Sequence, residues 1–382
     1  MKSDYQAGRI VGILGGGQLG RMFIQEALNF DICVHILDPD PEAPSSRIAH
    51  EFTLGSLLDF DTVYNFGKNK SVLTIEIEHV NVDALEQLEK EGVKIYPQPN
   101  VIRLIQDKGL QKEFYHQHQI PSAPFRLISD KSDLKDHQDF LPFMQKSRTG
   151  GYDGKGVQAM NTVADFNKSF EGGSVLEKFI DFEKELSVIV ARNENGQTCS
   201  YPIVELKFNP EANLVEFLFA PAAVSESLEK EARLIAEEII DKLGMVGILA
   251  VELFLTKDGK ILVNEVAPRP HNSGHQTIEA NFTSQYEQHL RSILNLPLGS
   301  TAAISPSVMI NLLGEKNFFG PVIYQGIEEI VSWEGVYPHL YGKNETKPFR
   351  KMGHVTVLNK SLEEAKKIAL KVKETLKVIG NE

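Results

Sequence analysis

The sequence predicts a multidomain protein of mixed α/β and α+β class, and three observations carry that expectation. Its first hundred residues alternate short apolar strands with helix-spaced apolar residues, the pattern of a parallel sheet. Its middle reads as successive antiparallel strands that end in a hairpin around Asp258-Gly259. Its 382 residues exceed one average core. The expected division is a parallel-sheet domain over 1–100, a central domain of two subdomains over 101–300 and a small α+β domain over 301–382.

The first strand, 10–14, runs straight into Gly15-Gly16-Gly17-Gln18-Leu19-Gly20 and then into helical spacing at Met22, Phe23, Ala27 and Leu28. This fits G-x-G-x-x-G, and the next strand, 33–37, ends in Asp38, where a dinucleotide-binding fold places its ribose acid. The motif is not specific, because a glycine turn lets any phosphate, or the helix itself, approach the backbone. A helix near 59–67, a strand at 72–77, a helix opened by Asn81 and a strand at 93–95 complete four βα units. The third strand ends in Glu76-Ile77-Glu78, at the sheet edge where open α/β folds bind ligands. Tyr96-Pro97-Gln98-Pro99 closes this domain.

A helical stretch with Asp107, Lys108 and Lys112 follows, then a strand at 142–146. Residues 147–156, with four glycines in seven positions and Lys155, suit a flap whose N–H groups wrap triphosphate oxygens. They are not a Walker loop, since G-K-[ST] is absent. Strands at 175–180 and 185–190 carry Glu177 and Glu185, acceptors suited to an adenine amino group and ribose hydroxyls, or merely exposed strand acids. Antiparallel strands over 201–221 and a helix over 228–243 lead to the hairpin. There Glu252 and Glu265 lie six positions either side of the turn, hence opposite one another. Two carboxylates so placed repel unless a cation lies between them, and oxygen ligands beside phosphate suit Mg²⁺. Alone, the pair is equally consistent with a solvated hairpin.

Pro268, Pro270 and Gly274 then force a loop presenting Arg269, His271, Asn272 and His275, so the i,i+4 histidines are not a zinc pair. One long helix is expected over 276–294, strands at 308–313 and 354–358, a basic pair Arg350-Lys351 and a last helix over 362–378. A net charge of −12 argues against nucleic acid as partner. No apolar run is long enough for a membrane span, which makes the cytoplasm the expected location. Cys33 and Cys199 form neither a disulfide framework nor a zinc spacing and read as structural thiols.

Taken in order, GGGQLGR (15–21), TGGYDGKG (149–156), NEVAPRPHNSGH (264–275) and RKMGH (350–354) make the chain resemble, over nearly its full length, the 5-(carboxyamino)imidazole ribonucleotide synthetases of the ATP-grasp carboxylate–amine ligase superfamily. The resemblance implies an ATP-grasp fold with a Rossmann-like pre-ATP-grasp domain, and a cytoplasmic homodimer acting on small molecules. It also implies a reaction of purine biosynthesis. ATP phosphorylates bicarbonate, and the carboxyphosphate delivers CO2 to the amine of 5-aminoimidazole ribonucleotide. By the family's pattern, Lys108 and Lys146 hold ATP phosphates and Gly151, Tyr152, Asp153, Gly154, Lys155, Gly156 and Val157 cover them. Glu177, Lys178, Phe179 and Ile180 line the adenine slot, Glu185 takes the ribose, and Glu252 and Glu265, helped by Asn264, hold one or two Mg²⁺ ions. Gln18, Leu19, Glu76, Tyr152, Asp153, Asn272, Lys343, Arg350 and Lys351 bind the ribonucleotide. Arg269 and His271 bind bicarbonate and carboxyphosphate and, with Asp153, are the catalytic candidates. Two departures stand out: Phe208 replaces a histidine that relatives use as a nucleotide contact, and Lys108 replaces an arginine of some relatives.

Three other readings compete. An NAD-dependent oxidoreductase explains residues 15–20 and Asp38 but leaves the glycine stretch and the paired acids unused. A non-catalytic nucleotide sensor should lack one of the paired acids, and both are present. A formate-dependent glycinamide ribonucleotide transformylase shares the glycine turn, the E-x-E strand end and the basic cluster. The TGGYDGKG and PRPHNSGH segments favour bicarbonate over formate.

Overall fold

A computed structural model describes residues 7–150 and 156–381. Strands β1 (Ile10–Leu14), β2 (Cys33–Asp38), β3 (Glu51–Leu54), β4 (Val72–Ile75) and β5 (Lys94–Ile95) form a parallel sheet in the order β3-β2-β1-β4-β5. The edge strand β3 is the one that the apolar pattern misses, because none of its four residues is buried. Helices α1 (Gln18–Asn29), α2 (Phe60–Gly67) and α3 (Val82–Lys90) flank the sheet, and Asp59 and Asn81 cap the last two by accepting N–H bonds from Thr62 and Ala84.

Next come α4 (Pro99–Gln106) and α5 (Lys108–Gln117), the latter capped by Asp107. Strands β6 (Phe125–Ile128), β7 (Phe143–Ser147), β8 (Val157–Met160) and β9 (Ser174–Lys178) make a four-stranded antiparallel sheet, and the glycine stretch joins β7 to β8. Residues 179–181 then cross to a larger sheet that begins with β10 (Phe182–Arg192). It continues through β11 (Thr198–Ser200), β12 (Val204–Asn209) and β13 (Leu214–Ala220), helix α6 (Glu226–Lys242), and the hairpin of β14 (Gly247–Thr256) and β15 (Ile261–Ala267). One face of β10, β14 and β15 is buried under α6 by Leu186, Val188, Val251, Leu253 and Val263. The period of two therefore puts Glu185, Ser187 and Glu252 on the other face.

The single helix expected over 276–294 is two, α7 (Thr277–Ala280) and α8 (Gln285–Ile293), parted at 281–284. Ser284 accepts the Glu287 N–H and starts α8 afresh, so an S-x-x-E capping signal overrides the continuous apolar spacing. The apolar face of α8, with Tyr286, Leu290 and Ile293, packs against Leu19, Phe23 and Ala27 of α1. That contact joins the first domain to the large sheet.

The C-terminal segment adds to that sheet. Strands β16 (Ser307–Leu313), β17 (Gly320–Gln325), β18 (Val336–Leu340), β19 (Glu345–Thr346), β20 (Lys351–Leu358) and β21 (Lys377–Gly380) accompany helices α9 (Ile327–Ile330) and α10 (Leu362–Thr375). β16, β20 and β18 extend the large sheet beyond β13, giving β15-β14-β10-β12-β13-β16-β20-β18 with β11 beside β10. β19, β17 and β21 form a separate small sheet. The expected last helix ends at Thr375 and its final residues become strand β21.

Candidate functional site

The hairpin brings its two acids together by a route that the turn alone does not reveal. Thr256 and Lys260 close a three-residue loop, in which Gly259 takes φ +81°, so the strands leave the turn one residue out of the expected register. A bulge at Asn264 restores it, and Glu252 faces Glu265. Glu265 keeps 48% of its side chain exposed, and its Oε2 lies 3.3 Å from Lys108 Nζ. Lys146 Nζ donates to Asn264 Oδ1 at 3.4 Å.

Electrostatics at this face are those of a surplus of negative charge. Burial and the nearby charges of Glu265 and Glu185 hold the Glu252 carboxyl well above its ordinary value. Burial and Glu265 push Glu185 up to about 7. Burial would raise Glu265 as well, but Lys108 and Lys146 outweigh it and keep that carboxylate ionised. A divalent cation would relieve the surplus, and a set made only of oxygens suits Mg²⁺ better than a transition metal. Among the described residues, no cluster of three His, Cys, Asp or Glu side chains is placed to hold a metal.

Glu177 has partners that its sequence context does not suggest. Its carboxylate is buried between Lys112 Nζ at 2.8 Å and Lys146 Nζ at 2.7 Å. Burial would raise its pKa, yet the two ammonium groups hold it below the usual value. Both oxygens are thereby occupied, and its position orients Lys146. Lys178 turns its ammonium to the carbonyls of Phe140 and Leu141. Phe179, 40% exposed, and Ile180 lie where the chain crosses between the two sheets. Gly156 anchors the end of the glycine stretch by accepting the Ser147 N–H, and Val157 pairs with Lys146. Gly151, Tyr152, Asp153, Gly154 and Lys155 lie outside the described residues.

The glycine turn after β1 is closed by acids from its own domain. Glu76 accepts the N–H groups of Gly17 and, at 3.0 Å, Leu19, while Asp38 accepts that of Gly16 at 2.6 Å. A Cβ at Gly17 would run into the Glu76 carboxylate. Three N–H groups of the turn are thus taken by the chain's own carboxylates, which leaves them unavailable to a dinucleotide pyrophosphate and weakens the oxidoreductase reading. Leu19 and Glu76 share a small cavity with Pro270, which sets this turn beside the 268–275 loop. Glu78, the second acid of the E-x-E strand end, pairs with Arg269 at 2.9 Å across the same junction.

On that loop His271 Nε2 lies 3.6 Å from Glu252 Oε1. Its Nδ1 lies 3.3 Å from the Ser273 backbone N–H and 2.9 Å from Ser273 Oγ, which in turn meets Ser187 Oγ at 2.7 Å. A backbone N–H can only donate, which assigns the imidazole proton to Nε2. Burial, with Arg269 and Lys351 near, holds His271 neutral, so the ring presents an N–H toward Glu252. Asn272 makes a reciprocal amide pair with Asn311 on β16, at 2.8 and 2.9 Å.

His275 is not presented with the rest of the loop, as its position there led us to expect. It is 1% exposed, accepts from Tyr286 and Gln285, and its ring lies 4.7 Å from that of His354. Lys343 donates to the Lys351 carbonyl at 2.6 Å, and the Lys351 charge reaches Glu252 and His271. Arg350 donates to the Glu345 carbonyl at 2.8 Å, and Gln18 is half-buried at the start of α1. Phe208, beside a bulge in β12, packs with Val204, Leu206, Leu218 and Met309. Burial raises the Cys199 thiol to about 11, in keeping with a structural role. Lys112, Glu78 and Gln285, absent from the sequence-based site, are held there by contacts with partners 14 to 191 positions away along the chain.

Family models for a ribonucleotide synthetase preATP-grasp domain, an ATP-grasp domain and a phosphoribosylaminoimidazole carboxylase C-terminal domain match residues 9–106, 113–286 and 307–368. The chloroplastic phosphoribosylaminoimidazole carboxylase of Vigna aconitifolia is 41% identical over 92% of this chain and 64% of its own length. The chain spans 64–65% of the length of several such curated relatives. The crystal structure of N5-carboxyaminoimidazole ribonucleotide synthetase from Thermotoga maritima is 44% identical, with a TM-score of 0.90 over 98% of this chain and 100% of that one. The Aspergillus clavatus N5-carboxyaminoimidazole synthase, solved with ADP and 5-aminoimidazole ribonucleotide, is 34% identical, with a TM-score of 0.87 over 96% of this chain and 98% of its own. No helix of the described residues is long and apolar enough to cross a membrane.

Proposed function

Since the chain belongs to the N5-carboxyaminoimidazole ribonucleotide synthetase family of ATP-grasp proteins, we propose that it uses ATP to carboxylate the amine of 5-aminoimidazole ribonucleotide. The γ-phosphoryl group passes from ATP to a bicarbonate oxygen, giving ADP and carboxyphosphate. Phosphate then leaves as its C–O bond breaks, the amine nitrogen bonds to the carbon, and one proton is released. The observation that carries the reading is Glu252 facing Glu265 between Lys108 and His271, a place for phosphate charge on one side and for a small oxyanion on the other.

Transfer of a phosphoryl group needs positioning and charge neutralisation rather than a protein nucleophile. Lys108 and Lys146 supply cations, and Glu177 fixes Lys146 in place. Glu252 and Glu265, with Asn264, suit one or two Mg²⁺ ions, which when bound neutralise phosphate oxygens. Residues 151–157 cover the phosphates, 177–180 border the adenine and Glu185 takes the ribose. The Arg269 guanidinium, oriented by Glu78, holds the oxyanion, while His271 donates its Nε2–H to it. Gln18, Leu19, Glu76, Tyr152, Asp153, Asn272, Lys343, Arg350 and Lys351 bind the ribonucleotide in this reading, which also includes a cytoplasmic homodimer.

The deciding experiment measures phosphate release from Mg-ATP with bicarbonate and 5-aminoimidazole ribonucleotide, beside formate with glycinamide ribonucleotide. Release in the first mixture alone is expected. Release in the second alone would transfer the site to formate chemistry, and silence in both would leave a nucleotide-binding protein without turnover.

A further inference from the structure

We propose that Gln285 is a positioning residue for this reaction, whose carboxamide clamps the backbone of His271 and so fixes the imidazole beside Glu252. Gln285 is fully buried. Its Oε1 accepts the His271 N–H at 2.9 Å, and its Nε2 donates to the His271 carbonyl at 2.8 Å. The remaining Nε2 hydrogen faces His275 Nδ1 at 3.1 Å. One side chain thus plays the part of a neighbouring strand for a residue that two preceding prolines, Pro268 and Pro270, keep out of a sheet.

The break between α7 and α8 is what makes this possible. Gln285 is the first residue of α8, and its own N–H is taken by Thr277 Oγ1 at 2.8 Å, which in turn donates to the Gly274 carbonyl at 2.5 Å. Gly274 is tied to the same device. A Cβ there would lie 2.6 Å from Gln285 Cδ, so any larger residue displaces the carboxamide. The glycine of the NSGH segment serves the clamp by leaving room for it, rather than by backbone freedom.

The kinetic part of the test rests on the ribonucleotide synthetase reading, whereas the exchange part does not. Gln285→Ala, Gly274→Ala and the double variant are compared with the wild type for phosphate release from Mg-ATP, bicarbonate and 5-aminoimidazole ribonucleotide. Each single change is expected to lower kcat roughly 10- to 100-fold with the KM for ATP within about twofold, because a small misplacement of a reacting group costs rate rather than ATP binding. The double variant is expected to be no slower than Gln285→Ala, since the added Cβ then has room. Hydrogen exchange at the His271 amide should be slow in the wild type and faster in both single variants.

Multiplying losses in the double variant, unchanged kcat, or unchanged exchange at His271 would overturn the clamp. A silent wild type would instead count against the functional reading, and exchange would still judge the clamp. Should Gln285→Ala fail to fold, Gln285→Met keeps the volume without the carboxamide and gives the same two readouts.

Discussion

Glu252 shows how a single side chain can work against the fold that holds it. Well below pH 4.5, the ordinary value for a glutamate, folded and unfolded chains both hold the proton and the residue is neutral toward stability. As pH rises, the unfolded chain releases that proton first, because burial and Glu265 keep Glu252 protonated in the fold. The unfolded state is thereby favoured, so stability drawn from this site falls between pH 4.5 and the raised pKa. Glu252→Gln should therefore raise the melting temperature of the metal-free protein near neutral pH, with the gain vanishing well below pH 4.5. Mg²⁺ should raise the melting temperature of the wild type and leave that of the variant unchanged. A gain that is the same at both pH values would show that mutual repulsion is not its source.

Among elements, α8 has the most to tell about the limits of apolar spacing. A continuous helix from 276 satisfies the hydrophobic period, but Ser284 ends it by offering its side chain to the Glu287 N–H. The same hydroxyl donates to Glu26 of α1 at 2.8 Å, so the cap also ties α8 to the first domain. Ser284→Ala should cost about 1 kcal/mol, read as a lower urea midpoint at unchanged slope. An unchanged midpoint would mean that packing of α8 on α1 alone sets its start. The parallel strands, by contrast, were legible because burial on both faces writes an apolar run, and β3 was not, because none of its residues is fully buried.

For the whole molecule the large sheet is what joins the central strands to the C-terminal segment. β13 pairs with β12 on one side and with β16 on the other, so the C-terminal segment protects an edge carrying Phe217, Leu218 and Phe219. A chain ending at residue 300 should expose that edge and aggregate on expression. A soluble, monodisperse truncated chain in gel filtration would show that the edge is protected in another way. The same continuity places Lys351 at the start of β20, on the sheet whose other end bears Glu252 and Glu265, with Asn311 of β16 meeting Asn272 on the way.

The sequence by itself determined the fold class, the glycine turn, the two acids of the hairpin and the order of motifs that marks the family. These are local matters: a period of two or 3.6, a glycine where a side chain cannot fit, a carboxylate counted from a turn. Tertiary structure decided who meets whom. The pairing of Glu252 with Glu265 followed from two one-residue offsets that cancel, the turn closure and the bulge at Asn264. Glu177 answers to Lys112 and Lys146, and Arg269 to Glu78, because packing rather than sequence distance sets which charges share a buried volume. His271 and His275 lie four positions apart, yet one faces Glu252 and the other is sealed against Tyr286 and His354. Gln285, reaching back from a helix whose start no apolar period marks, holds the two at their separate tasks.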